Sequence, residues 1–153
     1  MKKETYKNFK DLKENEKLFA VATLSSLKKE KTLEYHDLFL NWQDEFEKMS
    51  VPIVLMTQDS QEELDEIKDL YHSRIYYYNG ENESIYKKSI KQKFVFGEMR
   101  EAVQPYMTLF DEGKAVIFQK RINSESIKSF FKDTIRYRAE KEARAVDQSY
   151  KKI

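Results

Sequence analysis

The spacing of apolar residues changes several times along this chain, and each change marks an element. Leu18 to Leu24 (LFAVATL) is an unbroken apolar run of strand length, as expected for a strand buried on both faces. From Thr32 to Met49 the apolar positions become Tyr35, Leu38, Phe39, Trp42, Phe46 and Met49. Steps of three and four place them on one face of a helix, opposite Glu34, Asp37, Asn41, Asp44, Glu45 and Lys48. Val51 to Thr57 (VPIVLMT) reads as a second buried strand, with Pro52 near its start. Ser60 followed by Glu63 forms a capping box, and Leu64, Ile67 and Tyr71 line the short helix after it. Arg74 to Tyr78 predicts a third strand, closed by the turn pair Asn79-Gly80.

The second half is less regular. The pattern predicts a helix over 83–92 and then a link from Lys93 to Gln104 with no clear period. Val103 to Phe118 reads as a proline-led strand, a turn containing Gly113 and a returning strand. Asn123 or Ser124 caps a last helix whose apolar stripe is Ile127, Phe130, Phe131 and Ile135. Ahead of the first strand, Tyr6, Phe9 and Leu12 predict a short amphipathic helix or arm over 1–16. Residues 17–135 form the domain, and 136–153 a helical extension with only small or scattered apolar residues. Strands alternating with helices require parallel crossovers, and the late hairpin adds an antiparallel pair. The class is therefore α/β with a mixed sheet.

Composition narrows the chemistry more than the fold. A chain of 153 residues fits one domain with a self-sufficient core. It contains no cysteine, which removes disulfides, thiolate nucleophiles and sulfur metal ligands together. Lys and Arg number 28 against 27 Asp and Glu, a balance that argues against nucleic acid as a partner. No stretch approaches the ~20 apolar residues of a membrane span, and the lysine-rich start lacks a signal-peptide core. The chain reads as soluble and cytoplasmic, with an export signal replaced by Met1 as the alternative.

Four pieces stand in an order that resembles the thioredoxin-like superfamily, in its TlpA-like and peroxiredoxin-like (AhpC/TSA) branch. They are Phe19-Ala-Val-Ala-Thr-Leu-Ser-Ser-Leu-Lys28, Pro52-Ile-Val-Leu-Met-Thr-Gln-Asp-Ser60, Tyr78-Asn-Gly-Glu-Asn-Glu-Ser-Ile-Tyr86 and the hairpin beginning Gln104-Pro105. The resemblance implies a three-layer α/β/α sandwich with a mainly five-stranded sheet and a long C-terminal helix. It also implies a cis Gln104–Pro105 bond, because the family's hairpin proline is cis and borders the active site. Laying Ala22-Thr23-Leu24 on the residues before the family's Cys-x-x-Cys motif puts Ser25 and Lys28 in place of the cysteines. A small shift of register puts Ser26 or Lys29 there instead. Neither residue type can cycle through a disulfide, so cysteine-dependent oxidoreductase and peroxidase chemistry is excluded.

What remains is binding, and the resemblance places its surface on the family's substrate-facing edge. That edge holds Ser25, Ser26 and Lys28, the segment Gln104-Pro105-Tyr106, and residues near Phe94 to Glu98. The expected partner is a protein or an extended peptide, with no catalytic residue, metal or cofactor. A Ser–Lys hydrolase site at Ser25 or Ser26 with Lys28 or Lys29 is the enzymatic alternative. A third reading is an assembly protein that dimerises through Tyr137, Ala143, Val146 and Tyr150 of the last helix. From Lys132 onward, seven Lys or Arg face four acids, interspersed as on a solvated helix. His36 and His72 come from separate helices; His36 is expected to be partly buried near Tyr35 and Trp42, and Tyr76-Tyr77-Tyr78 to alternate between sheet faces.

Overall fold

A computed structural model describes residues 6–151, with side chains through residue 146. Tyr150, assigned above to a dimer contact, therefore has its side chain outside the described residues. In chain order the elements are α1 (Phe9–Asn15), β1 (Leu18–Thr23), α2 (Glu30–Lys48), β2 (Ile53–Thr57), α3 (Gln61–Leu70) and β3 (Tyr76–Asn79). There follow α4 (Ser84–Ser89), β4 (Ile90–Val95), β5 (Glu98–Val103), β6 (Tyr106–Asp111), β7 (Lys114–Gln119) and α5 (Ser124–Lys151). Five strands form one sheet in the order β3-β2-β1-β6-β7, and β4 pairs with β5 in a separate two-stranded ribbon. β1, β2 and β3 run parallel, and β6 joins β1 antiparallel from Thr23↔Tyr106 to Leu18↔Asp111.

The apolar runs are central strands because both faces of β1 and β2 are covered. Ala20, Ala22, Ile53, Leu55 and Leu109 pack against Phe39 and Phe46 of α2 and Ile127 and Phe130 of α5. Phe19, Val21, Val54 and Met56 face the other way, onto Phe9 and Leu12 of α1 and Tyr86 of α4. The result is a three-layer α/β/α sandwich. Local signals set the joints: Asn8 caps α1 by accepting from Asp11 N at 2.8 Å, and Ser60 and Glu63 form the complete capping box of α3. Glu112 and Gly113 both have positive φ, the combination a two-residue hairpin turn needs between Asp111 and Lys114. Gly80 is required by contact: a Cβ there would lie 2.5 Å from the ring of Tyr86.

Three expectations are corrected. The helix over 83–92 stops at Ser89, and residues 90–103 form a hairpin where no period was legible. Its cause is cross-strand pairing of Ile90 with Val103 and of Phe94 with Met99, which supplies the backbone hydrogen bonds a helix would have used. The Gln104–Pro105 bond is trans, since no cis peptide occurs among the described residues. Gln104 is held there on both sides, its N–H donating to Ser89 O at 2.7 Å and its carbonyl accepting from Thr23 Oγ1 at 3.0 Å. His36 is fully buried between the rings of Tyr71 and Tyr77, not half-buried beside Trp42.

α5 passes residue 135 without a break, and the next turns dock on their own domain. Tyr137 donates its hydroxyl to Asp111, Lys141 Nζ lies 2.7 Å from Asp111 Oδ2, and Arg138 donates to the carbonyl of Met49. Burial by itself would raise the Asp111 carboxyl, but the hydrogen bonds from Lys141 and Tyr137 outweigh it and hold the group below its usual range. No helix among the described residues is long and apolar enough to cross a membrane.

Candidate functional site

Ser25, Ser26, Leu27 and Lys28 form the loop between the end of β1 and α2, and the trans Gln104-Pro105-Tyr106 segment leads into β6. The two come to the same end of the sheet because β1 ends where β6 begins. Thr23 joins them: its hydroxyl donates to Gln104 O and accepts from Tyr106 N at 3.3 Å. The segment around Phe94 to Glu98 lies elsewhere. It is the tip of the β4–β5 ribbon, and the six residues of β5 span about 20 Å before Gln104 is reached.

A residue that sequence reading passed over organises the loop. Asp59 is 4% exposed, and its carboxylate accepts from Ser26 Oγ at 2.5 Å, Leu27 N at 2.8 Å and Thr57 Oγ1 at 2.9 Å. Its own carbonyl accepts from Asn79 Nδ2 at 2.8 Å. Its carboxylate thus ties the β1–α2 loop to the end of β2, and its carbonyl adds the end of β3. The signal was present as Thr57-Gln58-Asp59-Ser60, a polar cluster at the end of an apolar strand. It was absorbed into the capping of α3.

Both loop serines are engaged in hydrogen bonds that involve no lysine side chain. Ser25 Oγ lies 3.1 Å from Thr32 Oγ1, and Ser26 Oγ is committed to Asp59. Lys28 extends away to an ion pair with Glu63, whose hydrogen bond raises the ammonium's pKa above its usual value. A general base must lose its proton near neutral pH, so a lysine pushed upward is the wrong one. The Ser–Lys arrangement is not assembled. Among the described residues no cluster of His, Asp and Glu could hold a metal ion.

What the Pro105 end does present is apolar and open. Tyr106 packs its ring 5.0 Å from Phe118 of β7, the edge strand. Phe118 is 53% exposed and Val116, at a register irregularity of the same strand, is also exposed. α1 and α4 cover this face of the sheet over β1, β2 and β3, and the cover thins toward β7. A cleft of about 780 Å³ lies at the opposite end of the sheet, lined by Tyr6, Gln43, Pro52, Lys68, Arg74 and Tyr76. Its cations are occupied: Lys68 donates to Ile75 O at 2.6 Å, and Arg74 pairs with Asp44 and Glu47.

The strand order, the helices on both faces and the late β6–β7 hairpin define a thioredoxin-like α/β fold. Solved structures with that architecture place it more narrowly. Peroxiredoxin Q from Xanthomonas campestris, in a cysteine-to-serine form, shares it with a TM-score of 0.69 at 13% identity, over 78% of this chain and 78% of that one. The bacterioferritin comigratory protein of the same organism gives 0.67 at 14% identity, over 76% and 79%. PrxQ from Xylella fastidiosa gives 0.66 at 10% identity, over 79% and 77%. No protein-family model and no curated protein sequence matches the chain. The protein is a cysteine-free chain on the peroxiredoxin-type thioredoxin-like fold. At these identities the likeness concerns the fold alone.

Proposed function

We propose that this protein is a non-redox thioredoxin-like binding module that holds an extended segment of a protein partner at the Pro105 end of its sheet. The observation that carries the reading is the half-exposed Tyr106–Phe118 pair beside Pro105, on a sheet edge with free backbone groups. Aromatic rings with one wet face supply contact area at low entropy cost, and an edge strand supplies main-chain partners. The loop of Ser25, Ser26 and Lys28 contributes a rigid wall, because Asp59 and Glu63 hold it in place. Chemistry is no part of this reading: the chain lacks cysteine and its serine hydroxyls point into internal hydrogen bonds.

The test is selection of extended peptides from a displayed library against the whole protein, followed by fluorescence anisotropy. Peptides that bind at the proposed surface lose about tenfold or more in affinity, roughly 1.4 kcal/mol, with Tyr106→Ser or Phe118→Ser. Both variants retain the wild-type thermal melt. Selected peptides that bind the variants and the wild type equally would remove this surface from consideration.

A further inference from the structure

The β4–β5 ribbon is the part of the molecule least explained by its own fold. Its stem is anchored, since Ile90 and Val103 pack against the cluster containing Phe19 and Tyr86. Beyond that pair the ribbon projects into solvent, and an isolated two-stranded ribbon has little stability of its own. Its turn is Phe96-Gly97, with φ of +51° and +79°, between the paired residues Val95 and Glu98. A turn of this type favours Asn or Asp at the first position, and a bulky residue in left-handed backbone is strained. Phe96 is nevertheless there and is 95% exposed. Neither backbone preference nor packing within the chain accounts for it. Phe94 and Met99, paired across the ribbon on one face, are 72% and 61% exposed.

Helix α4 and the ribbon that follows it are together basic in a nearly neutral chain, as is the end of the last helix, and strand β4 of the ribbon carries Lys91 and Lys93 with no acid. From Ser84 to Val103, Lys87, Lys88, Lys91, Lys93 and Arg100 face only Glu98 and Glu101, an excess of three positive charges where the whole chain has +1. The complement lies on the same molecule. α3 carries Glu62, Glu63, Asp65, Glu66 and Asp69 against Lys68 alone, and Glu62, Asp65, Glu66 and Asp69 form one exposed stripe. That stripe ends in Leu70, 73% exposed, and Tyr71, 40% exposed. Both surfaces therefore grade from charge to apolar, with opposite signs. Their steps agree as well: Lys91 and Lys93 stand about 7 Å apart on a strand, Glu62 and Glu66 about 6 Å apart on a helix.

We infer that the ribbon of one copy docks on α3 of a second copy, with Lys91 and Lys93 along the acidic stripe and Phe96 against Leu70 and Tyr71. In this pair each copy gives its ribbon to the other's α3, a reciprocal arrangement about a two-fold axis. The surface differs from the peptide-binding edge, and either can stand without the other. Residues on both sides are solvent-exposed in the single chain, so nothing has to unfold for them to meet.

The experiment is sedimentation velocity on the whole chain across a concentration series, at low and high salt. The wild type moves toward twice 18.4 kDa as concentration rises and back toward one copy at high salt. Lys93→Glu and Glu66→Lys each remain single copies, and the double variant Lys93→Glu/Glu66→Lys pairs again, because the contact is restored with its signs exchanged. Phe96→Asn, which suits the turn, remains a single copy with an unchanged or higher melting temperature. A wild type that stays at one copy throughout would overturn the inference, as would pairing that survives Lys93→Glu alone or Glu66→Lys alone. Sedimentation of the protein with anionic phospholipid vesicles, lost in Phe96→Asn, would assign the ribbon to a membrane surface and equally overturn it.

Discussion

At the residue scale, two buried polar groups carry more than their neighbours. Asp59 gathers three donors, two from the β1–α2 loop and one from the end of β2, and a buried carboxylate with satisfied hydrogen bonds is costly to delete because its partners are left unpaired. Asp59→Ala is expected to lower stability by about 2–4 kcal/mol in urea unfolding. The same variant speeds hydrogen exchange at the Leu27 amide, which loses its acceptor. His36 is the second. Its Nε2 meets the hydroxyl of Tyr77, which in turn donates to Ser73 Oγ at 2.9 Å, while Nδ1 has no partner. Burial pushes the imidazole below its ordinary 6.5, against a smaller opposing pull from Asp37. The unfolded chain therefore takes up the proton first as pH falls. The stability this residue confers is present above the unfolded value and is lost below it, at up to about 1.4 kcal/mol per pH unit. Urea midpoints measured from about pH 7.5 to about pH 5.5 should fall in the wild type and fall less in His36→Gln.

At the element scale, legibility followed the number of neighbours each element has. β1, β2 and α2 were readable because burial on both faces, or on one stripe, writes an unbroken or a 3.6-residue pattern into the sequence. The ribbon was not readable. Its faces are mostly wet, so Lys91, Gln92, Lys93 and Arg100 carry no apolar alternation to betray a strand. The trans geometry at Pro105 was missed for a different reason: the expectation of cis came from resemblance, whereas trans is the ordinary state of an X–Pro bond. In the candidate site, Ser25, Ser26 and Lys28 could be named as residues of one loop. That Lys28 turns to Glu63 and Ser26 to Asp59 depends on α3 and β2 arriving beside them.

At the scale of the whole molecule, the last helix closes the domain. Asp111 ends β6, Tyr137 and Lys141 are one turn apart on α5, and their meeting fastens helix to sheet over 26 and 30 residues of sequence. Lys141→Met is expected to lower stability by about 1–2 kcal/mol, a range discounted for the lysine's partial exposure. The carboxyl of Asp111 sits below its usual range when folded, so this contribution is present above the unfolded carboxylate pKa and vanishes as pH falls through the folded one. Thermal melts of the variant and the wild type should accordingly converge in acid.

By itself the sequence determined the buried strands β1 and β2, the amphipathic helix α2, the late hairpin and the exclusion of thiol chemistry, because periodicity and composition are properties of the chain before it folds. Only the tertiary structure decided which hydroxyls are already occupied, that one aspartate locks the candidate loop, and that an aromatic turn stands in open solvent. Those facts depend on contacts between residues tens of positions apart, which no local pattern records.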